Sequence, residues 1–372
     1  MVHISRRAFL RGAAASATLL LAGCGSAAAP APSSATSGGA PSASAKPASS
    51  GSPAASTAPA AKPSAPGTAS AVKGAWVALT ANMMLWPLAV EAGYFDKYGV
   101  NFTLQYIQGS VTSLAAMTSN EIQMASIAGS TVVAAQAAKQ DVIMTVGYVG
   151  EYFWRIMAKP NITSLDQLRG KTVAVTKVGN SDYFAWSVLA NKMGWKLEDF
   201  KFVNANDAPG QVTALQAGNA DAIAMSPPND VLAKKVGAHM LLDEASYHLP
   251  NQAVGMTLMR SYLAQNRPVA LNVAKATVEA IHRWKTDPAF AKGVIKKYLK
   301  QDDQDYIDGG YEGYLNLFQE KAYPSKAGFE SVIEEVSNQQ PAAKNVTPEQ
   351  CMDTSIMQEL EDSGFLKQIF GS

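Results

Sequence analysis

Short apolar runs alternate with amphipathic stretches from about residue 75 onward. Runs of four to eight apolar residues bounded by turn residues read as buried strands, and apolar residues at helical spacing read as packed helices. The pattern predicts strands at Ala75–Thr80, Asn101–Tyr106, Met124–Ile127, Val142–Tyr148, Thr172–Thr176, Ala222–Met225 and Val254–Met259. Helices are expected between them, among them Ser110–Ser119, Thr131–Gln140 and Tyr183–Met193. Ser164-Leu165-Asp166-Gln167 reads as a capping box, and Gly170 stops that short helix. After Met259 the chain turns helical, with Val273, Thr277, Ala280, Ile281 and Trp284 on one face. Asp287-Pro288 and Thr347-Pro348-Glu349-Gln350 each read as an N-cap followed by Pro at the first helical position. Alternation of this kind belongs to an α/β fold with a largely parallel sheet.

A loose repeat runs through the pattern. Leu114-Ala115-Ala116-Met117-Thr118-Ser119-Asn120-Glu121-Ile122-Gln123-Met124-Ala125 precedes Val212-Thr213-Ala214-Leu215-Gln216-Ala217-Gly218-Asn219-Ala220-Asp221-Ala222-Ile223 by 98 residues. Both read as a helix end, a tight turn and a buried strand, which suggests two similar βαβ lobes.

The first seventy residues are of another kind. Ser5-Arg6-Arg7-Ala8-Phe9-Leu10-Arg11 matches the twin-arginine export pattern, followed by a weakly apolar stretch from Gly12 to Leu20. That stretch is too short to span a bilayer, which takes about 20 residues. Leu21-Ala22-Gly23-Cys24 resembles the bacterial lipobox, in which the Cys is lipidated. Residues 1–24 are therefore expected to be a lipoprotein signal. Residues 25–73 hold almost only Ala, Ser, Pro, Gly and Thr, which cannot build a core, and are expected to be a disordered tether. Coil scaling gives such a tether a reach of about 40 Å.

Composition narrows the partners. Of the 372 residues 47% are hydrophobic and 16% charged. Residues 1–73 hold six basic and no acidic residues, which leaves a net charge of about −5 on 74–372. A mildly acidic body argues against nucleic acid and against a basic membrane-binding surface. The two cysteines, Cys24 and Cys351, cannot make a disulfide framework or a four-Cys zinc site. No Gly-x-Ser-x-Gly, Walker loop or His-Glu-x-x-His occurs, and His239 and His248 lack metal-ligand spacing. No metal, cofactor or catalytic residue is expected.

Three phrases carry a resemblance: Ala89-Val90-Glu91-Ala92-Gly93-Tyr94-Phe95-Asp96-Lys97-Tyr98-Gly99-Val100, Leu165-Asp166-Gln167-Leu168-Arg169-Gly170-Lys171-Thr172-Val173-Ala174-Val175, and Leu215-Gln216-Ala217-Gly218-Asn219-Ala220-Asp221-Ala222. In this order the chain resembles the solute-binding proteins of ABC importers for nitrate, sulfonate, taurine and thiamine-pyrimidine compounds, the NMT1-like family. Residues 76–300 carry the likeness. The family's Gly-x-x-Asp turn is replaced in the first lobe by Asn120-Glu121-Ile122-Gln123. The resemblance implies a two-lobed, type II periplasmic-binding-protein fold with a helical C-terminal region. One lobe would comprise 74–155 plus 256–372 and the other 156–255, with crossings near Val149–Arg155 and Asn251–Val254. It also implies a monomeric, non-enzymatic, exported protein that passes a small molecule to an ABC permease and ATPase. Such a protein would touch the membrane only through its lipid anchor, at the periplasm or outer cell surface. An exported enzyme on the same fold and a ligand-sensing lipoprotein are the rival readings.

Ligands of parallel α/β sheets bind beyond the carboxyl ends of the strands, where helix N-termini present free N–H groups. This rule selects Asn82, Gly109, Ser110, Gly129, Ser130, Lys177, Ser181, Asp182 and Ser226 as ligand contacts, although the same residue types also cap helices. Trp86, Tyr148 and Trp154 are expected to add an apolar wall for a flat ligand.

Overall fold

The computed structural model describes residues 71–371. The expectations placed on Arg6, Arg7, Cys24 and most of the tether lie outside the described residues. Among the described residues, ten strands form two five-stranded sheets. The first sheet has the order β2-β1-β3-β10-β4, from Ala71–Trp76 (β1), Asn101–Tyr106 (β2), Met124–Ala128 (β3), Val142–Glu151 (β4) and Pro250–Met259 (β10). The second has the order β7-β6-β8-β5-β9, from Arg155–Ala158 (β5), Thr172–Val175 (β6), Lys201–Asn204 (β7), Ala222–Met225 (β8) and His239–Asp243 (β9).

The two sheets are built alike. In each, the fourth strand of the order runs antiparallel to its neighbours, β10 in the first and β5 in the second. Each of these strands is also the first that the chain enters after crossing from the other sheet. The repeated segments end in β3 and β8, which hold the same place in their sheets.

Helices cover both sheets. Leu85–Glu91 (α1), Tyr94–Lys97 (α2), Ser110–Thr118 (α3) and Gly129–Ala137 (α4) belong to the first lobe. Ser181–Met193 (α5), Ala208–Gln216 (α6) and Asn229–Lys235 (α7) belong to the second. The C-terminal region adds Arg260–Thr286 (α8), Pro288–Leu299 (α9), Gln304–Leu315 (α10), Lys326–Ser337 (α11), Pro348–Cys351 (α12), Ser355–Asp362 (α13) and Phe365–Phe370 (α14). The predicted caps are present. The Asp287 side chain accepts from the Phe290 N–H, and capping boxes close around Ser164/Gln167 and Thr347/Gln350. No described helix is long and apolar enough to cross a membrane. The first lobe and the C-terminal helices share one large core, while the second sheet carries a smaller core on each face.

Four expectations shift. β1 begins at Ala71 and ends at Trp76, so it takes up the last residues of the expected tether and leaves Val77–Thr80 outside the strand. Alternating burial starts at Ala71, with Lys73 pointing outward, and that alternation is what a strand needs. β5, β7 and β9 were not expected. β7 and β9 are edge strands with only partial burial, so no continuous apolar run marks them. The second crossing lies upstream of Asn251–Val254, because Pro250 already pairs with Glu151.

The two crossings, residues 151–155 and 243–250, run side by side. The Tyr152 N–H donates to the Leu249 carbonyl at 3.2 Å, and the Glu244 N–H donates to the Trp154 carbonyl at 2.9 Å. α10 makes a further bridge to the second lobe. Tyr306 Oη donates to Asn229 Oδ1 at 2.9 Å, and Lys235 pairs with Asp303.

Candidate functional site

A cleft of about 1170 Å³ opens between the two sheets. The winding of the chain explains its walls. Each strand that feeds a helix across its own sheet delivers that helix's N-terminus to the strand's carboxyl edge. α3, α4, α5, α6 and α7 all begin there, and their first residues, or the residues just before them, line the cleft.

Nine of the twelve expected contacts line it: Asn82, Gly109, Ser110, Ser130, Trp154, Lys177, Ser181, Asp182 and Ser226. They differ in what they have left to offer. Ser110 Oγ accepts from the Ala128 N–H at 3.2 Å, which joins two strand ends. Asn82 is buried and shares a short hydrogen bond with Thr80 Oγ1. Lys177 is exposed. Trp154 is half-buried and stacks on Phe153, with centroids 5.2 Å apart.

Asp182 is a structural acid. Its Oδ2 accepts from the Thr176 N–H and from Gln211 Nε2, and its Oδ1 accepts from Thr176 Oγ1 at 2.8 Å. Burial pushes its pKa up to about 6 against the pull of those donors. The carboxylate thus organises the loop after β6, and its lone pairs are spent within the protein.

Three expected contacts lie elsewhere. Trp86 is fully buried in the first-lobe core, where Nε1 donates to Thr277 Oγ1 at 3.0 Å and the ring meets Phe102 edge-on. It sits in α1, whose residues Leu85 to Ala89 are all buried, so nothing on that turn faces the cleft. Tyr148 is also buried; its hydroxyl pairs with Ser126 Oγ at 3.2 Å, and burial raises its pKa. Gly129 is needed for close packing: a Cβ there would fall 2.1 Å from the Gln252 carbonyl oxygen.

Other wall residues lie beyond the twelve expected contacts, although Tyr152 and Phe153 belong to an aromatic run that the sequence places at the interlobe crossing. Tyr106, 41% exposed, stands at the end of β2. Tyr152 and Phe153 come from the first crossing. Tyr306, Glu335, Gln339 and Gln340 arrive from the C-terminal region, far along the chain from the strand ends of the second lobe. The Tyr106 signal was present, an aromatic just before Gln108-Gly109-Ser110. The C-terminal residues carry no local signal, because only tertiary packing brings them there. Opposite them, Gly179 has φ +95°, and a Cβ there would fall 2.8 Å from Gln339 Oε1, so the lobes meet at this point.

The electrostatics are unusual for an anion site. Among the described residues that line the cleft, Lys177 is the single cation, against Asp182, Asp207 and Glu335. Asp207 caps α6 through the Gly210 N–H at 2.7 Å. Arg155 stands nearby but is held by Asp230 at 2.9 Å and Asp243 at 3.3 Å. Amides dominate the remaining polar wall, Asn180, Asn206, Asn229 and Gln211 among them. The arrangement can bind a small molecule by stacking and neutral hydrogen bonds.

The model of the family described as NMT1/THI5 like matches residues 81–291. No curated protein matches the chain in sequence. Solved structures match over most of it. The periplasmic aliphatic sulphonate binding protein SsuA from Escherichia coli is 18% identical with a TM-score of 0.65, over 75% of this chain and 96% of that one. The periplasmic nitrate-binding protein NrtA from Synechocystis PCC 6803 is 13% identical with a TM-score of 0.65, over 79% and 89%. The alkanesulfonate-binding protein SsuA from Xanthomonas axonopodis pv. citri, bound to MOPS, is 16% identical with a TM-score of 0.59, over 73% and 93%. At these identities the likeness shows the fold, that of periplasmic binding proteins.

Proposed function

The chain belongs to the NMT1/THI5-like family, and on that premise we propose that it is an extracytoplasmic solute-binding protein. It captures a small organic molecule or anion between its lobes and delivers it to the permease and ATPase of an ABC importer. The observation that carries this reading is the cleft itself. Five helix N-termini and the first of the two crossings line a volume of about 1170 Å³, above the usual range of about 300–1,000 Å³ for small-molecule sites. Capture works by differential affinity: the closed arrangement adds contacts from the second lobe, so a ligand that touches both lobes shifts the population toward closure.

The test is native mass spectrometry on freshly purified protein, followed by melting with each released compound. A noncovalent adduct that leaves chemically unchanged supports the reading, whereas a modified product would make the protein an enzyme. At about 100 times its dissociation constant the ligand should add about 2.7 kcal/mol of stability.

The anchor is a separate proposal. Cys24 follows Leu21-Ala22-Gly23, and a diacylglycerol with an amide-linked chain binds membranes far more firmly than one acyl chain. Cys24→Ser should therefore move the protein from the membrane fraction to the soluble fraction after a salt wash. Retention of the variant in the membrane pellet would remove the lipoprotein assignment.

A further inference from the structure

We propose that the cleft selects a ligand carrying a basic nitrogen on a flat, partly apolar body, and that the Glu335 carboxyl receives that nitrogen. The inference rests on the solute-binding reading above and names its ligand class. Glu335 projects from α11 into the wall of the cleft between Val332 and Gln339, and only 8% of it is exposed. Its Oε1 is fully buried and finds no donor among the described residues. A buried carboxyl in this position costs stability unless something pairs with it.

No group among the described residues does so. α11 packs on β10, α4, α12 and the 3-10 turn Pro341–Asn345. Neither β10 nor α4 contains an ionisable side chain. The turn offers only Lys344, which is exposed. α12 offers Glu349, paired with Lys326 at 2.9 Å, and Cys351, a buried thiol. On α11 itself, Lys326, Glu330 and Glu334 are exposed. Across the cleft, Lys177 is exposed and Asp182 and Asp207 are committed to backbone and side-chain donors of their own lobe. Glu335 is thus the carboxyl of the cleft that remains unspent. Burial alone pushes its pKa up to about 8, so it holds its proton at neutral pH while the cleft is empty.

The rest of the wall suits the body of such a ligand. Tyr106 and Trp154 offer ring faces, and Leu79 and Val111 are apolar side chains left 49% and 74% exposed at the cleft. An anion would meet one exposed lysine and a carboxyl that cannot ionise beside it. A cation would ionise Glu335 and form a charge-assisted pair away from water.

The test uses three planar probes of one shape: benzamidine, benzamide and benzoate, with taurine and nitrate as further anions. Isothermal titration should rank benzamidine first on the wild-type protein. Glu335→Gln should weaken benzamidine about tenfold or more, leave benzamide unchanged and improve benzoate. Benzamidine binding to the wild type at pH 7 should also release close to one proton, read from the heats in two buffers of different ionisation enthalpy. This second measurement needs no variant. If an anion binds best and Glu335→Gln leaves the ranking intact, the inference falls while the solute-binding reading stands. If no probe binds at millimolar concentration, the inference also falls, and native mass spectrometry of the purified protein decides the solute-binding reading independently.

Discussion

Arg155→Met should cost about 3–5 kcal/mol of unfolding free energy at neutral pH, the usual result of stranding a buried charge. Asp230 has no solvent exposure, and its Oδ2 accepts from Arg155 Nη1 and from Lys234 Nζ, each at 2.9 Å. Its Oδ1 has no partner among the described residues. Lys234 is half-exposed and cannot compensate the carboxylate alone. Burial works against the Arg155 charge, and the Asp230 and Asp243 carboxylates overcome that penalty and raise its pKa. Arg155 opens β5 and Asp243 closes β9, so one guanidinium ties the first crossing to the second. Urea unfolding followed by tryptophan fluorescence measures the loss, with Trp186 and Trp195 reporting on the second lobe. The double variant Arg155→Met/Asp230→Leu should recover much of it, because it removes the stranded charge as well. A single-variant loss below about 1 kcal/mol, the value of an exposed pair, would show that the network does not hold the second lobe.

Trp86→Ala should be of similar size, about 3–5 kcal/mol, since a fully buried indole leaves a cavity that the lobe cannot fill. The neighbours are rigid: α8 supplies Thr277, and Phe102 is itself stacked on Phe95 with centroids 3.9 Å apart. Trp86→Phe keeps most of the volume and strands the Thr277 hydroxyl, whose own donation to the Val273 carbonyl persists, so its cost should be nearer 1 kcal/mol. Ligand affinity of the folded Trp86→Ala protein should match the wild type. Loss of affinity at full folding would return Trp86 to the cleft and contradict its placement in the core.

The contrast between Trp86 and Tyr106 shows what a sequence can and cannot convey about such a site. Strand ends were readable, because apolar runs stop where polar and small residues begin; Ser110, Ser130, Lys177 and Ser226 all line the cleft for that reason. Which aromatic turns inward was not readable. Trp86 lies on a helical turn, Leu85 to Ala89, whose residues are all buried, and Tyr106 lies on a strand with an open flank. β5 was hidden by its brevity: Arg155-Ile156-Met157-Ala158 is four residues long and opens with a charge. Glu335 reads locally as a surface residue among Glu330 and Glu334, and only the packing of α11 on β10 and α4 encloses it.

Two strands of chain joined by hydrogen bonds bend as a ribbon rather than swivel as separate threads. Tyr152 to Leu249 and Glu244 to Trp154 make the interlobe connection such a ribbon. It resists twist, because twisting would shear those bonds, and it yields to flexing across its flat face. Together with the α10 bridge, through Tyr306–Asn229 and Lys235–Asp303, it restrains how one lobe can turn against the other. Chain connectivity, rather than the ligand, thus aligns the wall that carries Asn180 and Ser181 with the wall that carries Ser110 and Ser130.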